Sequence, residues 1–247
     1  MTGPNDAPPS QISISQLLPN MMTVTAICAG ITSIRFGVEG NYILAVQLIL
    51  LAAVLDGLDG RVARLLASES KIGAELDSLA DFLNFGVAPG IVLYFWGLQQ
   101  MPRAGWLAVL VFAVCCVIRL ARFNTTSKTE DKSKDNSTFT GIPSPAGALL
   151  AMLPMFVSFS FTERPVAPGL VVFGNLLIVG ALMISRIPTP SFKTTKISRE
   201  NVKYFLIAFA AAGAALLMYT WVSLAALCVI YVGAVVWALV YDRKPTD

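Results

Sequence analysis

Histidine is missing from all 247 residues of this chain, and charged residues make up only 13% of it. The missing histidine excludes histidine general bases and the zinc or iron sites that histidine builds. A soluble domain carries about 25% charged residues. The low charge, together with 55% hydrophobic residues and a mean hydropathy of +0.69, therefore indicates an integral membrane protein.

Cysteine is also scarce, and so is positive charge near the N-terminus. The four cysteines (Cys28, Cys115, Cys116 and Cys228) lie in apolar runs without the spacing of metal ligands. We expect them to be small packing residues and not a disulfide framework. Residues 1–17 contain no lysine or arginine, so a secretory signal peptide is not expected. Residues 1–16 are polar and contain three prolines, which predicts a loose cytoplasmic tail.

Long apolar stretches fill most of the remaining chain. Eight of them approach the roughly 20 residues that a helix needs to span a bilayer: 17–35, 42–66, 75–98, 105–122, 145–162, 168–185, 203–219 and 222–241. The sequence therefore predicts an all-α fold, a polytopic membrane bundle of about eight transmembrane helices. We expect 17–185 to be a six-helix catalytic core, and 186–247 to be a basic loop followed by a transmembrane hairpin.

The positive charges favour one orientation of these helices. With both termini in the cytoplasm, fifteen of the eighteen lysines and arginines fall on the cytoplasmic side. Such an excess is typical of cytoplasmic loops. The cytoplasmic set is Arg61, Arg64, Lys71, Arg119, Arg122, Lys128, Lys132, Lys134, Arg186, Lys193, Lys196, Arg199, Lys203, Arg243 and Lys244; Arg35, Arg103 and Arg164 lie outside. We therefore expect a multi-pass protein of the cell (inner) membrane, with a long polar loop at 123–143.

Four aspartates stand at the cytoplasmic ends of the second and third apolar stretches. Asp56 and Asp59 are three residues apart, and Asp77 and Asp81 are four apart, so each pair shares one helix face. Two facing helices, joined by a turn within 60–73, would bring the four carboxylates together. Like charges in an apolar setting destabilise one another, and divalent cations prefer carboxylate oxygens. The pattern predicts a divalent-metal site; structural ion pairs with Arg61 and Arg64 are the alternative.

The same residues carry a family resemblance. The pattern Asp56-x2-Asp59-Gly60-x2-Ala63-Arg64-x8-Gly73-x3-Asp77-x3-Asp81 resembles the motif of the CDP-alcohol phosphotransferases at every fixed position. Further segments are similar to the bacterial phosphatidylserine synthase branch of that family: 19–23, 77–82, 85–89, 119–124 and 141–146. The resemblance covers roughly 15–160, and the last helices match only in hydrophobicity.

The resemblance implies a reaction and a metal set. Members transfer a phosphatidyl or similar group from a CDP-linked donor to an alcohol and release CMP. By analogy Asp56, Asp59, Asp77 and Asp81 hold two Mg²⁺ or Mn²⁺ ions, with Asp56 and Asp77 bridging both. Asp81 is also the implied general base, which takes the proton of the attacking hydroxyl. A homodimer is implied as well.

Residues for the donor, CDP-diacylglycerol, follow from the same resemblance. Gly60 lacks a Cβ and would let a nucleotide lie against the backbone, and Arg64 offers a donor fork to the pyrophosphate. Ser70 matches a position that hydrogen-bonds the donor. Asn20 and Thr23 are expected to line the nucleotide pocket from the first helix, although Asn20 could instead cap that helix. Gly73 is expected to let two helices approach closely.

The acceptor end has fewer signals. Arg119 and Arg122 share a helix face, and an arginine fork recognises a carboxylate such as that of L-serine. Their alternative role is positive-inside anchoring. Asn124 and Ser144 are candidate hydrogen-bond partners in the same region.

The sequence therefore predicts phosphatidyl transfer from CDP-diacylglycerol to L-serine, giving phosphatidylserine and CMP. One alternative keeps the chemistry and changes the alcohol to glycerol 3-phosphate, inositol or choline. Another is a divalent-cation transporter, which leaves Gly60, Ala63 and Arg64 without a role. Membrane lipids are expected partners, and nucleic acid is not.

Overall fold

The structure, a computed structural model, describes residues 14–68, 70–129, 138–161, 168–185, 188–190 and 202–241. Most of the predicted N-terminal tail lies outside these ranges. So do nine of the eighteen basic residues counted for the predicted orientation: Lys132, Lys134, Arg164, Arg186, Lys193, Lys196, Arg199, Arg243 and Lys244. The orientation in the membrane therefore stays a prediction.

Helices account for nearly all of the described residues, which confirms the predicted all-α class. In chain order the elements are α1 (Ile14–Val38), α2 (Tyr42–Leu65), α3 (Lys71–Asp81), a π-helix (Phe82–Val87), α4 (Ala88–Gly97), α5 (Pro102–Thr129), β1 (Thr138–Thr140), α6 (Ser144–Ala151), α7 (Leu153–Phe161), α8 (Gly169–Ile184), β2 (Pro188–Pro190), α9 (Val202–Met218) and α10 (Thr220–Tyr241). The strands β1 and β2 form one short antiparallel pair.

Each of the eight apolar stretches is helical, but the predicted count of eight spans is not confirmed. Within the described ranges, five helices are long and apolar enough to cross a membrane, or up to six if the bent pair α6–α7 is one span. The helices α8 and α9 have 16 and 17 residues. At 1.5 Å per residue they reach only about 24–26 Å of the roughly 30 Å hydrocarbon core. The protein is thus a multi-pass membrane protein with at least five such helices.

One predicted boundary is wrong. Helix α5 continues to Thr129 through residues that the sequence assigns to the polar loop 123–143. The turn predicted within 60–73 is found there, because α2 runs to Leu65 and α3 begins at Lys71. Polar side chains at the end of a membrane helix reach water, so a polar composition alone does not end the helix.

The third membrane span is not a single regular helix. After Asp81 its hydrogen-bond pattern widens into the π-helix and returns to α-helical at Ala88. Two glycines on this span adjoin α5: a Cβ at Gly86 would meet the Cys116 side chain at 3.0 Å, and one at Gly90 would meet Val109 at 3.0 Å. Small residues let membrane helices approach closely, so the span that carries Asp77 and Asp81 packs directly on α5.

The core lies between α4, α5, α6 and α8. Its largest fully buried side chains include Phe112 of α5, Met152 and Leu176. Three of the four cysteines (Cys115, Cys116 and Cys228) are buried among apolar neighbours, and Cys28 is exposed. The packing role predicted for the cysteines is thus confirmed for three of them.

Candidate active site

Two helix ends present the four aspartates to one another. Asp56 and Asp59 stand in the last turns of α2, and Asp77 and Asp81 stand in α3 after the turn 66–70. Ser70 begins α3 by accepting a hydrogen bond from the Gly73 N–H at 2.9 Å, as N-terminal caps do. The carboxyl groups of Asp56 and Asp81 lie side by side, and Asp59 and Asp77 are near enough for their charges to act on this cluster.

The aspartates have the donor chemistry of a divalent-metal site. The Oδ1 atoms of Asp56 and Asp81 are buried and have no hydrogen-bond partner. A buried carboxylate oxygen without a partner is costly and is stabilised by a cation. Among the described residues, however, no group of three or more acidic or thiol side chains is arranged so that it could hold a metal ion. The oxygens suit Mg²⁺ or Mn²⁺, but they would have to converge to bind it.

A hydrogen bond from α1 holds Asp59. The Thr23 hydroxyl lies 2.6 Å from Asp59 Oδ2 and 3.1 Å from the Pro19 carbonyl oxygen. One hydroxyl proton serves one acceptor at a time, and the shorter contact to a charged oxygen is the stronger one. Both side chains are almost completely buried, with 4% and 3% of their surface exposed. Thr23 therefore orients Asp59.

A cavity of about 260 Å³ adjoins this pair between α1, the end of α2 and the start of α3. It brings together four of the five predicted donor residues with two of the aspartates. Its lining includes Asn20, Thr23, Asp59, Gly60, Ser70 and Asp77. The wall of the cavity thus includes polar side chains and carboxylates. Asn20 lies inside α1, six residues after Ile14, so its alternative role as a helix cap is wrong.

Two glycines shape the cavity in different ways. A Cβ built on Gly60 meets nothing within 4 Å, so the backbone of α2 is open to a ligand at that point. A Cβ on Gly73 would lie 2.8 Å from Asn20 Oδ1 and 3.0 Å from Ser70 Oγ. Gly73 therefore allows α1 and α3 to approach, as its predicted packing role requires. The fifth donor candidate, Arg64, stands outside the lining and donates from Nε to the Gly60 carbonyl oxygen at 3.0 Å.

Of the acceptor candidates, Arg119 and Ser144 meet beside the aspartates. Arg119 Nη1 donates to Ser144 Oγ at 2.8 Å, which joins α5 to the start of α6. The Arg119 guanidinium is also close enough to Asp81 for their charges to attract. The acceptor and base candidates thus share one region.

Arg122 and Asn124 make other connections. Arg122 Nη1 donates to the Ile184 carbonyl oxygen at 2.8 Å, at the end of α8. Asn124 Nδ2 donates to Ser78 Oγ at 2.9 Å, which ties α5 to α3. Both side chains therefore hold helices around the site.

Two residues near the site were missed in the sequence. Asn84, in the π-helix three residues after Asp81, is fully buried, and neither of its side-chain polar atoms has a partner. A polar residue inside an apolar span is a signal that could have found it. Tyr231 of α10 lies near Arg119. Its position in an otherwise ordinary apolar helix carried no such signal.

The sequence of this chain is similar to a known protein family and to several named proteins. The family model described as CDP-alcohol phosphatidyltransferase matches residues 16–187. A CDP-diacylglycerol–serine O-phosphatidyltransferase from Mycobacterium leprae is 44% identical over 213 residues, which cover 82% of this chain and 68% of the relative. Proteins of the same name from Mycobacterium tuberculosis (36% identical; 93% of this chain, 84% of the relative) and Helicobacter pylori strain J99 (37% identical; 77% and 78%) are also similar.

Proposed function

The chain belongs to the CDP-alcohol phosphatidyltransferase family, and we propose that it transfers the phosphatidyl group of CDP-diacylglycerol to L-serine. The products are phosphatidylserine and CMP. The observation that carries this function is the cavity that brings four donor candidates together with Asp59 and Asp77. Asp81 follows Asp77 by one turn of α3, and Arg119 is near enough to Asp81 for their charges to attract. A carboxylate-recognising group and a base candidate therefore stand next to a pocket suited to a nucleotide. The names of the relatives support the choice of serine.

The reaction exchanges one phosphorus–oxygen bond for another. The serine hydroxyl oxygen bonds to the phosphorus that carries diacylglycerol, and the bond from that phosphorus to the CMP oxygen breaks. Asp81 accepts the proton of the hydroxyl, and the electron pair of the broken bond leaves with CMP. Asp81 suits this task because its carboxyl group lies beside that of Asp56 and near enough to Arg119 for their charges to attract. A general base needs that placement before any adjustment of its basicity.

The donor headgroup would occupy the cavity between α1, α2 and α3. Gly60 leaves the α2 backbone open for close contact with the nucleotide, and Asn20 and Ser70 offer polar side chains to it. Arg64, which is exposed, has further N–H groups for the pyrophosphate beyond the one that bonds the Gly60 carbonyl oxygen. The acyl chains would stay in the bilayer.

Asp56, Asp59, Asp77 and Asp81 would hold two Mg²⁺ or Mn²⁺ ions, since the family is generally dependent on divalent metals. Bound there, such ions would neutralise the negative charge that develops on the phosphate oxygens and on the departing CMP. The two buried, unpartnered oxygens of Asp56 and Asp81 support this assignment. Thr23 keeps Asp59 oriented, and Asp77 contributes its charge from the cavity wall.

The acceptor would bind with its carboxylate at Arg119. Arg119 carries the charge, and Ser144 holds its guanidinium in place through the 2.8 Å hydrogen bond. Arg122 and Asn124 support this arrangement from their bonds to α8 and α3. We expect the site and both termini to face the cytoplasm of the inner membrane, with 17–185 as the catalytic core. A homodimer is expected as well.

Release of CMP tests the reaction and its acceptor. Purified protein in detergent receives CDP-diacylglycerol, Mg²⁺ or Mn²⁺, and one alcohol at a time: L-serine, glycerol 3-phosphate, inositol or choline. We expect CMP release that depends on serine. Release with another alcohol instead would keep the chemistry and replace the acceptor. Absence of release with every alcohol would contradict the proposed function and favour cation transport.

A further inference from the structure

We propose that Tyr231 of α10 is a further residue of the acceptor site, where its hydroxyl donates a hydrogen bond to the serine carboxylate beside Arg119; this rests on the proposed function. Helix α10 lies beyond the residues 16–187 that match the family model. The last helix would thus contribute directly to substrate recognition, in addition to any role in packing.

The first observation is a buried hydroxyl without a partner. The Tyr231 oxygen is shielded from solvent and makes no hydrogen bond in the structure. A buried tyrosine hydroxyl usually finds a partner, because burial without one costs free energy. The ring also forms part of a cavity of about 230 Å³ between α6 and α10, and Tyr231 is the one residue of its lining with a hydroxyl. Packing alone would be served equally well by phenylalanine.

The second observation is what surrounds this hydroxyl. Tyr231 and Arg119 are close enough to interact electrostatically. Arg119 is bonded to Ser144 at the first turn of α6, and the same helix faces Tyr231 through Ala146, Leu149 and Leu150. The Arg119 cation and the Tyr231 hydroxyl are therefore both next to the first turns of α6, near enough for the charge to act on the hydroxyl group. That pair suits a carboxylate, which accepts from both and is charge-balanced by the arginine.

The position of the Tyr231 hydroxyl favours contact with the acceptor, serine, over contact with the donor, CDP-diacylglycerol. The donor cavity is formed by α1, α2 and α3, whereas Tyr231 packs against α6. Arg119 acts electrostatically both on Tyr231 and on Asp81, the candidate base. A hydrogen bond to the amino acid carboxylate would direct the serine hydroxyl from the α10 side toward Asp81. Loss of this bond should therefore weaken binding of serine and leave binding of CDP-diacylglycerol unchanged.

Tyr231→Phe tests this role because it removes the hydroxyl alone. We expect the KM for serine to rise roughly tenfold or more, as the loss of a hydrogen bond to a charged group implies. The KM for CDP-diacylglycerol should stay the same. Since the hydroxyl has no partner within the protein, the melting temperature should hold or increase. Tyr219→Phe is the matched control, because Tyr219 is 64% exposed between α9 and α10.

Each outcome decides between the alternatives. An unchanged serine KM in Tyr231→Phe overturns the inference and leaves the proposed function intact. A lower melting temperature, a failure to fold, or an equal rise in both KM values also overturns it, because these results assign the hydroxyl a structural role. Wild-type protein without serine-dependent CMP release contradicts the proposed function itself, and with it this role of Tyr231.

Discussion

Replacing Thr23 by valine removes the hydroxyl that orients Asp59 and leaves the side-chain shape nearly unchanged. In the structure this hydroxyl lies 2.6 Å from Asp59 Oδ2, and both side chains are almost fully buried. A hydrogen bond to a charged group contributes about 1.5–3 kcal/mol, and removal of a residue that orients a metal ligand typically costs roughly 10–100-fold in metal affinity. We therefore expect the Mg²⁺ or Mn²⁺ concentration for half-maximal activity to rise roughly 10–100-fold.

The assay is CMP release at saturating CDP-diacylglycerol and serine while the metal concentration is varied. Thr23→Ser keeps a hydroxyl and should restore most of the metal affinity. Thr25→Val is the matched control, because Thr25 is on the same helix and its hydroxyl is exposed and donates to the Met21 carbonyl oxygen at 2.8 Å. If the metal dependence of Thr23→Val coincides with that of the wild type, Asp59 is not a metal ligand held by Thr23.

Three further substitutions test other parts of the site. Asp81→Asn should abolish CMP release while donor binding, measured by equilibrium dialysis of CDP-diacylglycerol in detergent, is retained; near-normal turnover would reject Asp81 as the base. Gly60→Ala should raise the KM for CDP-diacylglycerol several-fold without loss of stability, since its Cβ meets no protein atom, and Gly57→Ala, equally open, should leave that KM unchanged. Gly30→Ala should destabilise the fold by about 1–3 kcal/mol, seen as a lower melting temperature, because the new Cβ would overlap the buried amide of Asn84.

The sequence was sufficient to predict features that depend on one helix at a time. The eight apolar stretches are all helical, because the length and polarity of a segment decide whether it forms a helix in a membrane. The periodicity of the helix also places Asp56 with Asp59, and Asp77 with Asp81, on shared faces. The predicted count of eight spans is not confirmed, since the length of α8 and the bend of 42° between α6 and α7 depend on packing.

The grouping of the aspartates from two helices was predicted, but the bonding partners of individual side chains on different helices were not. Arg119 and Arg122 share one helix face, so the sequence does not distinguish them. In the structure, however, Arg119 bonds Ser144, and Arg122 bonds a carbonyl oxygen of α8. The partner of each arginine depends on where α6 and α8 pack, and a local sequence pattern does not predict that packing. Tyr231 is 112 positions after Arg119 in the sequence, so only the fold could bring them together.

The π-helix after Asp81 determines which way the rest of the span faces, because its wider turn carries one residue more than an α-helical turn. If residues 82–87 closed into an ordinary α-helix, every later side chain of that span would turn by about 100°. Gly90 would then face away from α5, although the aspartates before it had not moved. Loss of one residue between Phe82 and Val87 would offset that turn, so a relative that is one residue shorter here should form a regular α-helix and keep this glycine against α5.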